Sequence, residues 1–168
     1  MTPPTIGYLA SIYFETGGVR LLPEVLGRHN IARPLLVTDR DLVSLGMTAR
    51  LPLKDAPVFC DIQTNPSEPS VVGGLKAYLE NDCDGVVALG GGSPMDCAKG
   101  ISLLVTHPQP LKQYAFLNGG LPKITTNKPP VIVVPTTAGS GSEVGRAALL
   151  TMNNGKKMAL ISPELIPA

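Results

Sequence analysis

The sequence predicts an α/β fold with a mostly parallel sheet and helices on both faces. Three observations predict it. Short, uniformly apolar runs (LLVT, VVAL, VIVV) recur along the chain, and segments with helical spacing lie between them. A run of three glycines stands at one junction from strand to helix. Strands that are apolar at every position, not at alternate ones, belong to parallel sheets covered on both sides.

The elements follow in order. Leu35–Thr38 reads as a buried strand after Pro34, and Asp41–Arg50 as a helix after it. Val58–Ile62 is a second strand, weakened by Asp61. Ser67–Glu80 carries Val71, Val72, Leu75, Tyr78 and Leu79 at helical spacing. Val86–Leu89 is a strand that runs into Gly90, Gly91 and Gly92. Ser93–Thr106 is a helix with Met95, Ala98, Ile101, Ser102 and Val105 on its inner face. Thr106–Pro130 holds four prolines before Pro130 and reads as a mobile, loop-rich connection. Val131–Val134 is the most β-rich run, and Ala147–Thr151 with Met158–Ile161 forms a hairpin around Asn153-Asn154-Gly155. The chain stops at Ser162–Ala168 without a closing helix, which reads as the first domain of something larger.

Composition narrows the function. Of 168 residues, 43% are hydrophobic and 16% charged, with a mean hydropathy of +0.19, so a packed core is expected and disorder is not. Lys and Arg (14) nearly balance Asp and Glu (13), which argues against a nucleic-acid partner. No apolar run reaches the ~18 residues that a membrane helix needs. The segment MTPPTIGYLASIYF lacks a basic stretch ahead of an apolar one and does not read as a signal peptide. Cys60, Cys83 and Cys97 are odd in number with no CxxC spacing, which fits a reducing cytoplasm.

Ligands of open α/β sheets bind at the C-terminal ends of the strands, and the polar clusters fall there. In Gly90-Gly91-Gly92-Ser93-Pro94-Met95-Asp96 a strand leads in and a helix leads out. Ser93 suits the N-cap and Pro94 the first helical position. Free N–H groups and the helix dipole above Gly91 and Gly92 then suit a pyrophosphate. The plainer reading is a space-saving turn, with Ser93 and Asp96 as a capping box. Asp39, at the end of a strand, can bind both hydroxyls of an adenosine ribose and favour NAD over NADP, or simply cap the helix after it; Arg40 beside it weakens the first reading. Thr136, Thr137, Ser140 and Ser142 give four hydroxyls after the VIVV strand, suited to ribose, phosphate or carboxamide, or to local turns. Asn65 either reaches the same crevice or caps, while Lys99, Lys156 and Lys157 read as solvated charges. His29 and His107 are the only histidines and suggest no metal site. The segment is no P-loop, since no glycine directly precedes Lys99 and no Ser or Thr follows it.

GGGSPMDCAKGI (Gly90–Ile101) and PTTAGSGSEV (Pro135–Val144) together resemble the two signature segments of the iron-containing (group III) alcohol dehydrogenases. Phe14-x-x-Gly17, PLLVTDRDL (Pro34–Leu42), Asn65-Pro66 and the SPELIP ending agree in order and spacing, so the resemblance covers nearly the whole chain. It implies a Rossmann-like N-terminal domain, here residues 1–168, that binds NAD(P). It also implies a helical C-terminal domain, absent here, that holds Fe²⁺ or Zn²⁺ through an Asp and histidines beyond the SPELIP segment. The family interconverts alcohols with aldehydes or ketones. By resemblance Asp39 binds the adenosine ribose. Gly91, Gly92 and Ser93 hold the pyrophosphate, and Asp96 lies close to the cofactor. Asn65, Thr136, Thr137 and Ser140 line the rest of the cleft, and Lys157 is the cofactor-contacting lysine. A homodimer through the N-terminal segment is also implied. Glu15, Ser140 and Gly145 depart from the residues common in the family, and Gly145 removes one contact. Two readings stand beside this one: a glycerol-dehydrogenase or dehydroquinate-synthase-like member of the same superfold, and a truncated nucleotide-binding domain without catalysis.

Overall fold

The computed structural model describes residues 10–168. The first nine residues of the segment read above as lacking a leader and as a dimer contact lie outside the described part.

Four parallel strands form the central sheet: β1 (Pro34–Val37), β2 (Val58–Phe59), β3 (Gly85–Gly90) and β4 (Val131–Pro135), in the order β2-β1-β3-β4. β1 and β3 are inner strands, with Leu36 opposite Val87 and Val86 opposite Val131. Side chains alternate between faces along each strand. Leu35, Val37, Val86 and Ala88 point into one core, with Val71, Ile101 and Leu104 of helices α3 (Glu68–Glu80) and α4 (Gly92–Thr106). Leu36, Val87, Leu89 and Ile132 point into the other, with Leu22, Val25 and Leu26 of α1 (Leu22–Arg28). Both faces are covered, so the strands can be apolar throughout.

Three expected elements differ. The second strand keeps only Val58–Phe59, because it is an edge strand with one neighbour. The helix after Asp39, α2, spans Arg40–Ser44 and not the whole of Asp41–Arg50. Gly46, with φ of 68°, ends it in the left-handed conformation: the Met47 N–H returns to the Leu42 carbonyl (3.0 Å). The 107–130 connection is packed, with Leu111, Tyr114, Ala115 and Ile124 buried. His107 closes it from inside. Its Nε2 accepts from the Thr125 N–H (3.1 Å), while Nδ1 faces the Leu103 carbonyl (3.0 Å).

The hairpin forms as expected, from β5 (Ala147–Thr151) and β6 (Lys157–Ile161), as a separate two-stranded antiparallel sheet. Ala148, Leu150 and Leu160 seat it in the core beside α4. Glu68 is buried between two loops, accepting from the N–H groups of Leu111 (3.3 Å) and Asn153 (3.1 Å). The Ser162–Ala168 segment makes a short 3-10 turn over Pro163–Leu165, and Ala168 donates to the Val131 carbonyl (2.9 Å).

Candidate functional site

The strand order reverses beside β1: the chain moves outward to β2, then returns past β1 to β3. Crevices form at such switch points, outside the carboxyl ends of the strands. A cleft of about 440 Å³ opens here. Asp39 and Arg40 line it from the end of β1, Ile62 to Thr64 from beyond β2, Gly91 to Pro94 from the end of β3, and Thr136 and Thr137 from the end of β4.

The floor is the glycine turn. Gly90 has φ of 145°, a conformation that side chains rarely adopt. Helix α4 begins at Gly92, with Gly91 as its N-cap and no side chain capping it. Ser93 is therefore inside the first turn, not the cap, and Pro94 is third in the helix, not first. Among the described residues the N–H groups of Gly92 and Ser93 donate to no protein atom, and Pro94 has none to donate. The start of a 15-residue helix thus presents free donors to the cleft, an arrangement suited to an anion. A Cβ on Gly91 would stand 3.5 Å from Thr137 Oγ1, and one on Gly92 would stand 3.4 Å from Ser140 Cβ. Side chains here would narrow the space between the turn and the 136–141 loop.

Asp39 caps the helix after it and also lines the cleft. Its Oδ1 accepts from the Leu42 N–H (2.8 Å) and caps α2. Its other oxygen has no protein partner among the described residues, and the residue lines the cleft. Arg40 pairs with Asp61 (3.1 Å), both groups being largely exposed.

Asn65 and Lys157 meet at the margin. Lys157 Nζ donates to Asn65 Oδ1 (2.7 Å), and the Asn65 N–H donates to Ser93 Oγ (3.3 Å). The hairpin is thereby tied to the glycine turn. Lys157 begins β6 and does not lie in the turn; it is exposed, as a solvated charge would be, but has Asn65 as a partner. Ser140 is turned into its own loop, donating to Glu143 Oε2 (3.0 Å) and accepting from the Ser142 N–H (3.3 Å).

Asp96 and Lys99 lie behind the site. Asp96 is buried and caps nothing: Oδ1 accepts from Ser142 Oγ (2.6 Å) and Oδ2 from the Leu149 N–H (3.0 Å). It is not among the residues lining the cleft. Lys99, read from sequence as solvated, is 1% exposed. Burial pulls its ammonium down to about 8, against the opposing pull of Asp96 and Glu143. Cys97 is fully buried, and burial pushes its thiol up to about 12, so it is a core residue without nucleophilic character. Sequence reasoning missed the long-range partners of Asp96 and Lys99; a charged pair spaced i, i+3 on an otherwise apolar helix was the available signal.

Among the described residues, no three of His, Cys, Asp or Glu gather to hold a metal ion, and no helix is long and apolar enough to cross a membrane.

The family model described as iron-containing alcohol dehydrogenase matches residues 10–168. Over 166 residues the chain is 42% identical to the 4-hydroxybutyrate dehydrogenase of Cupriavidus necator, covering 96% of this chain and 44% of that protein. The crystal structure of a 1,3-propanediol oxidoreductase superposes with a TM-score of 0.86 at 33% identity, over 92% of this chain and 41% of the other. That of the sulfoacetaldehyde reductase from Bifidobacterium kashiwanohense, in complex with NAD⁺, gives 0.83 at 29% identity, over 92% and 42%. The chain therefore spans less than half the length of these relatives.

Proposed function

This chain belongs to the iron-containing alcohol dehydrogenase family, and on that premise we propose that it is the nicotinamide-dinucleotide-binding part of an oxidoreductase. The reaction is the interconversion of small alcohols with aldehydes or ketones. One observation carries the reading: free N–H groups at the start of α4 face a cleft that also holds the free Asp39 oxygen and the Thr136 and Thr137 hydroxyl side chains.

The residues fit the cofactor in sequence across the sheet. The adenosine ribose lies over β1 at Asp39, the pyrophosphate over β3 at Gly91, Gly92 and Ser93, and the remainder over β4 at Thr136 and Thr137. Ser140, Asn65 and Lys157 bound this last part, and Asp96 acts from behind it through Ser142. The bound nicotinamide supplies or accepts the hydride. The chain's own part is to bind and orient the dinucleotide. Asp39 hydrogen-bonds the ribose and disfavours a 2′-phosphate, so NAD is preferred to NADP.

The described residues do not fit the family's metal, because no three His, Cys, Asp or Glu side chains among them converge. In this reading residues 1–168 form one dinucleotide-binding domain, and Fe²⁺ or Zn²⁺ belongs to the full-length enzyme. A cytoplasmic homo-oligomer completes the proposal, supported by the cysteine usage and by the family. Titration of the chain with NADH, followed by calorimetry, tests it. Saturable one-site binding is expected, and heat of dilution alone would refute it.

A further inference from the structure

Lys99 has no place in the cleft, yet its ammonium is surrounded by hydrogen-bond partners. Nζ donates toward the carbonyls of Ser142 (2.7 Å), Gly145 (2.9 Å) and Ala147 (2.9 Å), and lies 3.1 Å from Ser142 Oγ. Ser142 Oγ spends its own hydrogen on Asp96, so toward Lys99 it can only accept. Asp96 and Lys99 are three residues apart on one face of α4. Through Lys99, Asp96 and the Leu149 N–H, that face holds residues 142–149.

A buried ammonium is costly unless its donors are satisfied, and an apolar side chain would pack here without that cost. What the charge adds is geometry: three carbonyls must converge on one nitrogen, which fixes the backbone from Ser142 to Ala147. The loop before them has few other ties. Its near end is held where Thr136 N–H donates to the Gly90 carbonyl (3.0 Å). Between that point and Ser142, the hydrogen bonds among the described residues are internal to the loop: Ser140 to Glu143, Ser142 to Ser140, and Val144 to Gly141. The loop carrying Thr136, Thr137 and Ser140 is thus suspended between Gly90 and Lys99, with Thr137 and Ser140 closing on the glycine turn.

We propose that Lys99, assisted by Asp96, is a positioning residue that sets the height of the 136–141 loop over the glycine turn and so governs recognition of the nicotinamide-side half of a dinucleotide. The proposal rests on the nucleotide reading of the cleft. It makes a prediction that a merely structural lysine would not: the adenosine half, held at Asp39 and the glycine turn, is indifferent to Lys99.

The test compares ADP with NADH on the full chain by calorimetry, for the unaltered protein, Lys99→Met and Ser142→Ala. In Lys99→Met, NADH is expected to bind about tenfold more weakly, the scale of one or two lost hydrogen bonds, while ADP changes less than about twofold. Ser142→Ala, which keeps the three carbonyl anchors but cuts the tie to Asp96, is expected to show a smaller loss in the same direction. Equal losses for ADP and NADH, or no loss for either, would overturn the positioning role. If Lys99→Met does not fold, Ser142→Ala decides: an unchanged NADH-to-ADP affinity ratio overturns the proposal. Failure of the unaltered chain to bind either ligand is a different result, and it refutes the nucleotide reading itself.

Discussion

Asp39→Asn separates the two tasks of Asp39. Asparagine caps helices about as well as aspartate, so the bond to the Leu42 N–H survives and stability should hold within ~0.5 kcal/mol. What is lost is one negative charge at the mouth of the cleft. Two unit charges about 5 Å apart interact by roughly 3 kcal/mol at an effective dielectric of about 20, and by under ~1 kcal/mol in bulk water. The cleft is open to solvent, so the repulsion of a 2′-phosphate should be about 1–2 kcal/mol, or about 5- to 30-fold in relative affinity. Loss of the ribose acceptor weakens NADH, and loss of the repulsion strengthens NADPH, so both effects shrink the ratio. Fluorescence titration of the unaltered chain and the variant with NADH and NADPH gives that ratio, and a thermal melt tests the cap. Asp61→Asn is a companion variant: it frees Arg40 from its exposed partner and should raise NADPH affinity slightly without changing NADH. A chain that binds NADPH as well as NADH before mutation, or an Asn variant with an unchanged ratio, would show that Asp39 is only a cap.

Other outcomes follow from the same geometry. Gly92→Val should reduce NADH affinity at least about tenfold, because a Cβ there already stands 3.4 Å from Ser140 Cβ and the γ-carbons would crowd the free N–H groups. Its circular dichroism should be unchanged, and undiminished affinity would remove the phosphate cradle. Gly120→Ala should destabilise the domain by about 2–4 kcal/mol in urea denaturation, since the new Cβ would fall 2.1 Å from the Tyr114 carbonyl carbon, which cannot yield as a side chain can. A loss below ~0.5 kcal/mol would mean that the 107–130 connection repacks freely. The 168-residue chain should form no NADH from small alcohols with Fe²⁺ or Zn²⁺ supplied, because a Lewis-acid site needs about three converging ligands. Metal-dependent turnover, measured by absorbance, would refute that account.

Much of the sheet and of the cleft floor was legible because the signals are local. An apolar run such as Val86–Leu89 is a strand buried on both faces, and three glycines between it and a helix mark a turn that a ligand can approach. The misreadings are also local in origin. Ser93 and Asp96 have capping-box spacing, so a reading by spacing makes Asp96 a cap and starts the helix at Ser93. The chain instead starts α4 at Gly92, and Asp96 finds Ser142, 46 residues away, and Leu149, 53 away. Lys99 on a helix looked solvated because nothing within a turn of it explained burial; its three carbonyls come from residues 142–147.

The two errors have one cause, which bears on how the site is built. A parallel sheet brings the ends of β3 and β4 side by side, although Gly90 and Pro135 are 45 positions apart in sequence, and the loop after β4 must be fixed by something on the β3 side. The helix that follows β3 is the element in reach. Its start faces the cleft: Gly91 and Gly92 line it, and the helix has no side-chain cap there. Anchoring therefore falls to the next turn, at Asp96 and Lys99, the nearest positions on the face toward β5. A glycine turn that faces the cleft and a charged turn that braces the neighbouring loop are successive parts of one helix. The signature GGGSPMDCAK spans both, and its second half holds Asp96 and Lys99, whose hydrogen bonds among the described residues run to the 142–149 segment.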